Sequence, residues 1–257
     1  MRLIAFHTFL WFRRRRVFVV FFFSYLLLVF LWLFLGSIAL SEQQKVIMDF
    51  FLVSTEILWV VWILFFATRL IYNEVRDKTL DLVRLKLKKS YYFFLWKFLW
   101  FFMVLFGFFI VIFFLVSFFF LWRGFSDFSY LSLLFALLFI FVKLIVLLVF
   151  VMFFSLFLSP VATLFVSLLV YVLSHSTVFL NYYYHSILIH KSVFLEYVMS
   201  GLYYMLPNFA QLSSTEVFGS SFDIRFSSAI LLINLAYIFV LLFLGIIVYL
   251  KRVKYFI

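Results

Sequence analysis

Runs of apolar residues about 20 long recur about six times along this 257-residue chain, and they limit the folds that it can adopt. A helix of that length crosses the roughly 30 Å hydrocarbon layer of a membrane with its backbone hydrogen-bonded internally. An outer-membrane barrel would show alternating strands of about ten residues, which this sequence lacks. Charged residues make up only 12% of the chain, too few for the surface of a water-soluble domain. The sequence therefore predicts an all-α polytopic membrane protein.

Six transmembrane helices are predicted within a single transmembrane domain. Their ranges are residues 17–40, 50–72, 96–121, 130–157, 161–180 and 229–250. The polar turns SEQQK and RGFSDFS precede the second and fourth spans. Leu158-Ser159-Pro160 joins the fourth span to the fifth, and Pro160 suits the first turn of a helix because it has no backbone N–H to donate.

Two segments depart from the pattern of simple spans. Residues 1–16 end in four consecutive arginines, which favours a short amphipathic helix at the membrane interface over the alternative of a cleaved signal peptide. Residues 181–228 are too polar for a span and too apolar for a solvated loop. We expect one or two interfacial or re-entrant helices there, on the outer face, ending at Pro207.

The basic residues are unevenly divided between the two sides of the predicted bundle. With the N-terminus inside, sixteen Lys and Arg residues fall on the cytoplasmic side and four on the outer side. This asymmetry places both termini in the cytoplasm under the positive-inside rule. The net charge of +11 is therefore explained by topology in a lipid bilayer, and no nucleic-acid partner is expected.

Residues 69–97 form the longest polar interval and carry eight of the 21 Lys and Arg residues. Leucines and a valine alternate there with Asp, Arg and Lys, which gives a strongly basic amphipathic segment. Such a segment can bind an anionic lipid leaflet, seat in a groove of a cytoplasmic partner, or remain a solvated loop. The residues alone leave these alternatives open.

The same interval resembles a family. Glu74-Val75-Arg76-Asp77-Lys78-Thr79-Leu80 is similar to the E-x-x-x-G-T-L pattern of permease subunits of ABC-2 type ABC transporters, with Lys78 in place of the Gly. Ser90 and Lys97 match the polar stretch and the lysine that follow in that family, and Lys88 stands near where it often has Pro. The order of helices and the Leu206-Pro207-Asn208-Phe209 run are also similar. The heme-exporter B subunit of cytochrome c maturation is a close relative in form.

The resemblance implies a transport subunit without an enzyme activity of its own. The sequence lacks G-x-x-x-x-G-K-[ST], so ATP would be bound by a separate ABC ATPase subunit, with no cofactor or catalytic residue in this chain. Glu74, Arg76, Asp77, Thr79 and Leu80, within a cytoplasmic coupling region of residues 73–95, would dock on that ATPase. A second permease chain, identical or different, would complete the transport path.

Charged residues within the spans are further candidates, because a charge in lipid is costly and often functional. Lys143 lies near the middle of the fourth span and could snorkel, pair with a carboxylate or face a transport path. Glu56 is expected near the outer interface, with pairing to Lys143 as the alternative. Pro207 and Asn208 mark the outer segment.

The histidines and the remaining function classes complete the predictions. His175, His185 and His190 are expected near the outer face, and their spacing, like that of His7, matches no metal motif. An export permease of a bacterial cytoplasmic membrane is predicted, with the mitochondrial inner membrane as the alternative location. The alternatives are a heme-exporter B-like protein or a non-transporting subunit of an organelle-encoded respiratory or protein-export assembly. A membrane enzyme is disfavoured because no cluster of His, Asp or Glu is evident.

Overall fold

The computed structural model describes residues 17–38, 43–76, 91–123, 129–177, 197, 201, 206–212 and 224–255. Within these ranges the regular structure is entirely helical, with no strand, which confirms the all-α class. The α-helices are α1 Val17–Ile38, α2 Gln43–Arg76, α3 Tyr91–Arg123, α4 Tyr130–Phe154, α5 Pro160–His175 and α6 Ile224–Tyr255, with a 3-10 turn at Ala210–Leu212. The predicted interfacial helix at residues 1–16 lies outside the described residues.

Four of these helices are long and apolar enough to cross a membrane, as expected of an integral membrane protein. The stretches are Gln44–Arg69, Phe94–Trp122, Tyr130–Phe154 and Leu231–Lys251. They belong to α2, α3, α4 and α6. α5 is a shorter apolar helix, and α1 has 22 residues.

The start of α2 differs from the sequence prediction. SEQQK was predicted as a turn, yet Gln43, Gln44 and Lys45 form the first turn of α2. Gln and Lys are favourable helix formers, so polarity alone did not make this stretch a break. The apolar part of α2 therefore begins earlier than predicted, and Glu56 falls at its middle. α6 likewise begins at Ile224, inside the predicted outer segment, and α5 ends at His175, before the predicted end at residue 180.

The predicted junction between the fourth and fifth spans is confirmed. Pro160 is the first residue of α5, and Ser159 caps the helix by accepting a 3.4 Å hydrogen bond from the backbone N–H of Ala162. The fixed backbone angle of proline suits this position. Only a short turn, residues 155–159, separates α4 from α5, so the two helices form an antiparallel hairpin.

α4 is the central helix of the bundle. Every residue from position 142 to 152 is buried, so the helix is enclosed on all sides over three turns. Helices α2, α3, α5 and α6 all pack against it, whereas α1 packs against α2. An apolar helix that is enclosed all round forms a core, and here it positions whatever polar group it carries deep inside the protein.

The contacts between helices also give their relative directions. Trp32 near the end of α1 donates a 2.9 Å hydrogen bond to Ser54 of α2, while Tyr25, earlier in α1, lies 3.4 Å from Thr55. Phe94 at the start of α3 contacts Tyr249 near the end of α6. α3 and α6 therefore run in opposite directions.

Candidate functional site

Four polar side chains from three helices meet inside the bundle. Glu56 comes from α2, Lys143 from α4, and Tyr171 and His175 from α5. Lys143 Nζ donates hydrogen bonds to both carboxylate oxygens of Glu56, at 3.0 and 3.1 Å. The Tyr171 hydroxyl donates to Oε1 at 2.8 Å, and His175 Nε2 lies 3.3 Å from the same oxygen. We call these four residues the charged cluster.

The helices bring these residues to one level by simple register. Glu56 follows the first residue of α2 by 13 positions (43 to 56), and Lys143 follows the first residue of α4 by the same number (130 to 143). Parallel helices that begin at one face of a membrane would place such residues at equal depth. Tyr171 and His175 are four residues apart on α5, so they share a face of that helix.

The cluster is buried, with one accessible edge. Only 3% of the Lys143 side chain and 10% of the Glu56 side chain are exposed, whereas 35% of His175 is exposed. A charge enclosed in an apolar bundle must be paired, because removal from water is costly. The bidentate contact of Lys143 with Glu56 meets this need, and His175 forms the edge of the cluster toward the surroundings.

Both ring nitrogens of His175 lie near oxygen atoms. His175 Nε2 lies against the Glu56 carboxylate, and Nδ1 lies 3.2 Å from the backbone carbonyl oxygen of Tyr171. Both neighbours are hydrogen-bond acceptors. In the imidazolium form, which has an N–H on each ring nitrogen, His175 would donate to both at once.

Residues 206–212 cover the α5 side of the cluster. The Phe209 ring lies 5.6 Å from the His175 ring and 5.9 Å from the Tyr171 ring, measured between centroids, and Phe209 is almost fully buried. Its backbone N–H donates to the carbonyl oxygen of Ser174 at 3.1 Å. Asn208 Oδ1 accepts a 2.7 Å hydrogen bond from Thr177. The segment is thus fixed to the last turn of α5.

The segment of residues 206–212 includes Pro207 and Asn208, the two residues predicted to mark an outer segment. Pro207 is buried, and the following 3-10 turn packs Leu212 against Phe139 and Val142 of α4. Tyr237 of α6 donates a 3.3 Å hydrogen bond to the carbonyl oxygen of Leu206. Most of the predicted outer segment lies outside the described residues, so its re-entrant form stays a prediction.

The structure corrects one of the predicted positions. The interfacial position expected for Glu56 is wrong, because α2 begins at Gln43 and places this carboxylate at the middle of the apolar stretch. The alternative, a pair with Lys143, is present. His175, which was expected near the outer face, is the last residue of α5 and contacts Glu56; its position relative to the outer face stays a prediction. A role of Lys143 and Glu56 in a transport path stays a prediction.

The predicted coupling residues are only partly within the described structure. Glu74 and Arg76 lie in the last turn of α2. Asp77, Thr79 and Leu80 lie outside the described residues, as does Ser90. Lys97 lies in the second turn of α3 and is 3% exposed, so it is enclosed by the bundle. Docking of this region on an ATPase stays a prediction.

Tyr171 is the member of the cluster that the sequence analysis missed. The available signal was the YVLSH sequence, where a tyrosine precedes a histidine by four positions inside an apolar helix. Thr163 and Ser167, also missed, lie four residues apart on α5 and are fully buried. Small residues at this spacing allow close helix packing in membranes.

No group of three His, Asp or Glu side chains suited to a metal ion occurs in the part of the chain that the structure describes. The charged cluster itself offers one carboxylate and one imidazole. Comparisons with known protein families, curated proteins and solved structures find no match to this chain.

Proposed function

We propose that this chain is the transmembrane permease subunit of an ABC-2 type transporter, an exporter that a separate ATPase subunit operates. The observation that best supports the proposal is the continuity of α2. This one helix carries Glu56 in the buried charged cluster and Glu74 and Arg76 at its other end. A movement imposed at the polar interval would therefore reach the middle of the bundle through a single rigid element.

The lengths of α2 and α3 fit this role. Their 34 and 33 residues correspond to about 50 Å each, well beyond the roughly 30 Å of the hydrocarbon layer. Both helices can therefore extend past the membrane toward the polar interval between them. Glu56 and Glu74 are separated by about 27 Å along α2 (18 residues at 1.5 Å). The same rigid helix therefore connects the charged cluster to the polar interval, residues 69–97.

The membrane arrangement is part of the same proposal. Six spans, with α1 and α5 added to the four long helices, would put both chain ends on the side that carries sixteen of the basic residues. That side would be the cytoplasm, where the ATPase would bind. Residues 1–16 would lie along the interface, residues 206–212 would belong to the outer segment, and a second permease chain would pair with this one.

The heme-exporter alternative receives less support from the cluster. Both ring nitrogens of His175 already face oxygen acceptors, so ligation of an iron would require the loss of one of these contacts. His7, His185 and His190 lie outside the described residues. Transport of another kind of cargo is therefore the function that we propose.

Affinity purification in mild detergent tests the proposal. The intact chain is compared with a Glu74→Ala, Asp77→Ala, Thr79→Ala variant, and the co-purifying proteins are identified. We expect a nucleotide-binding ATPase with the intact chain and at least a tenfold lower recovery with the variant, which corresponds to about 1.4 kcal/mol of binding free energy.

A matched control is available on the proposed outer side. Thr215→Ala, Glu216→Ala, Asp223→Ala removes the same three residue types from the proposed outer segment. This control should recover as much ATPase as the intact chain. Recovery of respiratory or protein-translocase subunits in place of an ATPase would contradict the transporter proposal.

A further inference from the structure

We propose that the charged cluster is a binding site for the anionic group of an amphiphilic cargo, and that Glu56 occupies this site as a tethered substitute when no cargo is bound. The inference rests on the proposed function, because it uses a movement of α2 to vacate the site. It adds a substrate class: amphiphiles that carry a carboxylate or a phosphate.

The first support is the convergence of donors on one oxygen. Lys143 Nζ, the Tyr171 hydroxyl and His175 Nε2 all lie within 3.3 Å of Glu56 Oε1. A single ion pair needs only the lysine. Three converging donors from two other helices form a receptor for an oxyanion, and charge-assisted bonds of this kind are strong.

The second support is the balance of charge. With His175 as imidazolium, the cluster would contain two cations, His175 and Lys143, against one anion, Glu56. An excess positive charge inside an apolar bundle favours a further anion. A carboxylate or phosphate from a cargo would meet this demand when Glu56 departs.

The third support is how the four residues are divided among the helices. All the donors lie on the α4–α5 hairpin, whose short turn is held by hydrogen bonds such as that from Leu158 N–H to the Phe154 carbonyl at 2.9 Å. Glu56 alone lies on α2. A displacement of α2 would therefore withdraw the acceptor and leave the donors together. An unpaired buried lysine is strongly unfavourable, so a cargo anion would be drawn in.

The surroundings of the cluster specify an amphiphile. His175 gives the cluster an accessible edge, and exposed apolar residues of α5, such as Leu168 and Val172, precede it along the same helix. A compact hydrated anion would lose its water without apolar contacts in return. An anion attached to an alkyl chain would place its head on the donors and its chain along apolar surface.

The test uses the purified full-length chain in detergent, with thermal unfolding as the readout. Octanoate and octyl phosphate are the anionic probes, and octylammonium is the cationic control, all at equal ionic strength. Glu56→Ala empties the acceptor position. We expect octanoate or octyl phosphate to raise the unfolding midpoint of Glu56→Ala at about one tenth of the concentration that the intact chain requires. Octylammonium should have no such effect.

Double variants identify the donors. In Glu56→Ala, Lys143→Met the anion-dependent rise should be lost, whereas Glu56→Ala, Lys251→Met, which removes an exposed lysine of α6, should keep it. If Glu56→Ala does not fold, Glu56→Gln serves instead, because the amide keeps the length of the side chain without its charge. Equal responses with and without Lys143, or no response to either anion, would overturn the inference.

The two anions separate the sources of the ligand. If octyl phosphate raises the unfolding midpoint at a lower concentration than octanoate does, the cargo is a phosphate-bearing lipid. If octanoate acts at the lower concentration, the cargo is a carboxylate-bearing amphiphile. No ATPase is present in this experiment. Failure to bind an anion is therefore distinct from failure to recover an ATPase in the purification experiment.

Discussion

Helices α4 and α6 are both apolar enough to span a membrane, yet they have opposite positions in the fold. In the most apolar window of α4, 72% of the residues are buried inside the protein, against 22% in α6. α6 exposes large side chains such as Phe239 and Phe243. In water, apolar residues indicate a core, but in a membrane both lipid and protein interior accept them. Apolar composition therefore indicates that a helix lies in the membrane without indicating which helices pack against it.

A polar residue distinguishes the two helices better than their apolar ones do. α4 carries Lys143 at its middle, where only a protein partner can satisfy the charge. The lysines of α6, Lys251 and Lys254, lie near the helix end, and Lys251 is exposed. A central charge therefore marks the enclosed helix, and substitutions in the two helices should differ in a graded way.

The largest difference is expected between Lys143 and Lys251. Lys143→Ala leaves Glu56 buried without its main partner, and we expect a loss of about 3–5 kcal/mol in the free energy of unfolding. Lys251→Ala should change it by less than about 0.5 kcal/mol. Equilibrium unfolding in mixed detergent micelles measures both. Equal losses in the two variants would contradict the enclosed position of α4.

A smaller difference is expected for apolar truncation. Leu148 of α4 is fully buried, and Leu148→Ala should cost about 2–5 kcal/mol because it opens a cavity. Leu232 of α6 is 66% exposed, and lipid can fill the space after Leu232→Ala, so less than about 0.5 kcal/mol is expected. The same unfolding measurement applies. A large loss for Leu232→Ala would instead place that face of α6 against a protein partner.

α6 packs closely against α3 at Gly245. A Cβ atom at Gly245 would lie 3.0 Å from the Phe94 ring of α3, whereas nothing lies within 4 Å of one at Gly107. Gly245→Leu should therefore cost about 1–3 kcal/mol through overpacking, and Gly107→Leu should cost nothing measurable. If thermal unfolding shows the reverse order, the packing of α3 on α6 is different from that described.

The smallest effect on stability is expected where α6 contacts the segment of residues 206–212. Tyr237→Phe removes the hydrogen bond to the carbonyl oxygen of Leu206, with an expected loss of about 0.5–1.5 kcal/mol. Phe239→Leu, on the exposed face of the same helix, is the control and should be neutral. Thermal unfolding of both variants, together with protease cleavage within residues 206–212, measures the change. Unchanged stability and cleavage would show that this bond does not hold the segment.

Much of the helical framework could be predicted from the sequence. Long apolar runs give helices because unpaired backbone groups are too costly in lipid, and Pro160 marks a helix start by its chemistry. The position of Lys143 near the middle of its span was predicted correctly for the same reason, since both ends of that apolar run are clear. These features depend on local sequence alone.

The charged cluster could not be predicted in full, because it depends on which helix faces meet. The apolar residues of α4 occur on every side of the helix and define no preferred face. The helices that pack against α4 therefore do not follow from periodicity. The depth of Glu56 was misjudged because a polar stretch, residues 41–45, was interpreted as a turn. Tyr171 was missed because a tyrosine in an apolar run usually carries no information beyond packing.

The shortness of α5 has a consequence for the bilayer around the protein. Its 16 residues give about 24 Å of helix, less than the roughly 30 Å of a typical hydrocarbon layer. Neighbouring α2 is about twice as long, with 34 residues, so the two adjacent helices differ in length. If α5 spans the membrane, as the proposed six-span arrangement requires, lipids beside it would thin or tilt to match it, at a modest cost for each ångström of mismatch. Because α5 carries Tyr171 and His175, a change in membrane thickness would in that arrangement act on the donors that hold Glu56.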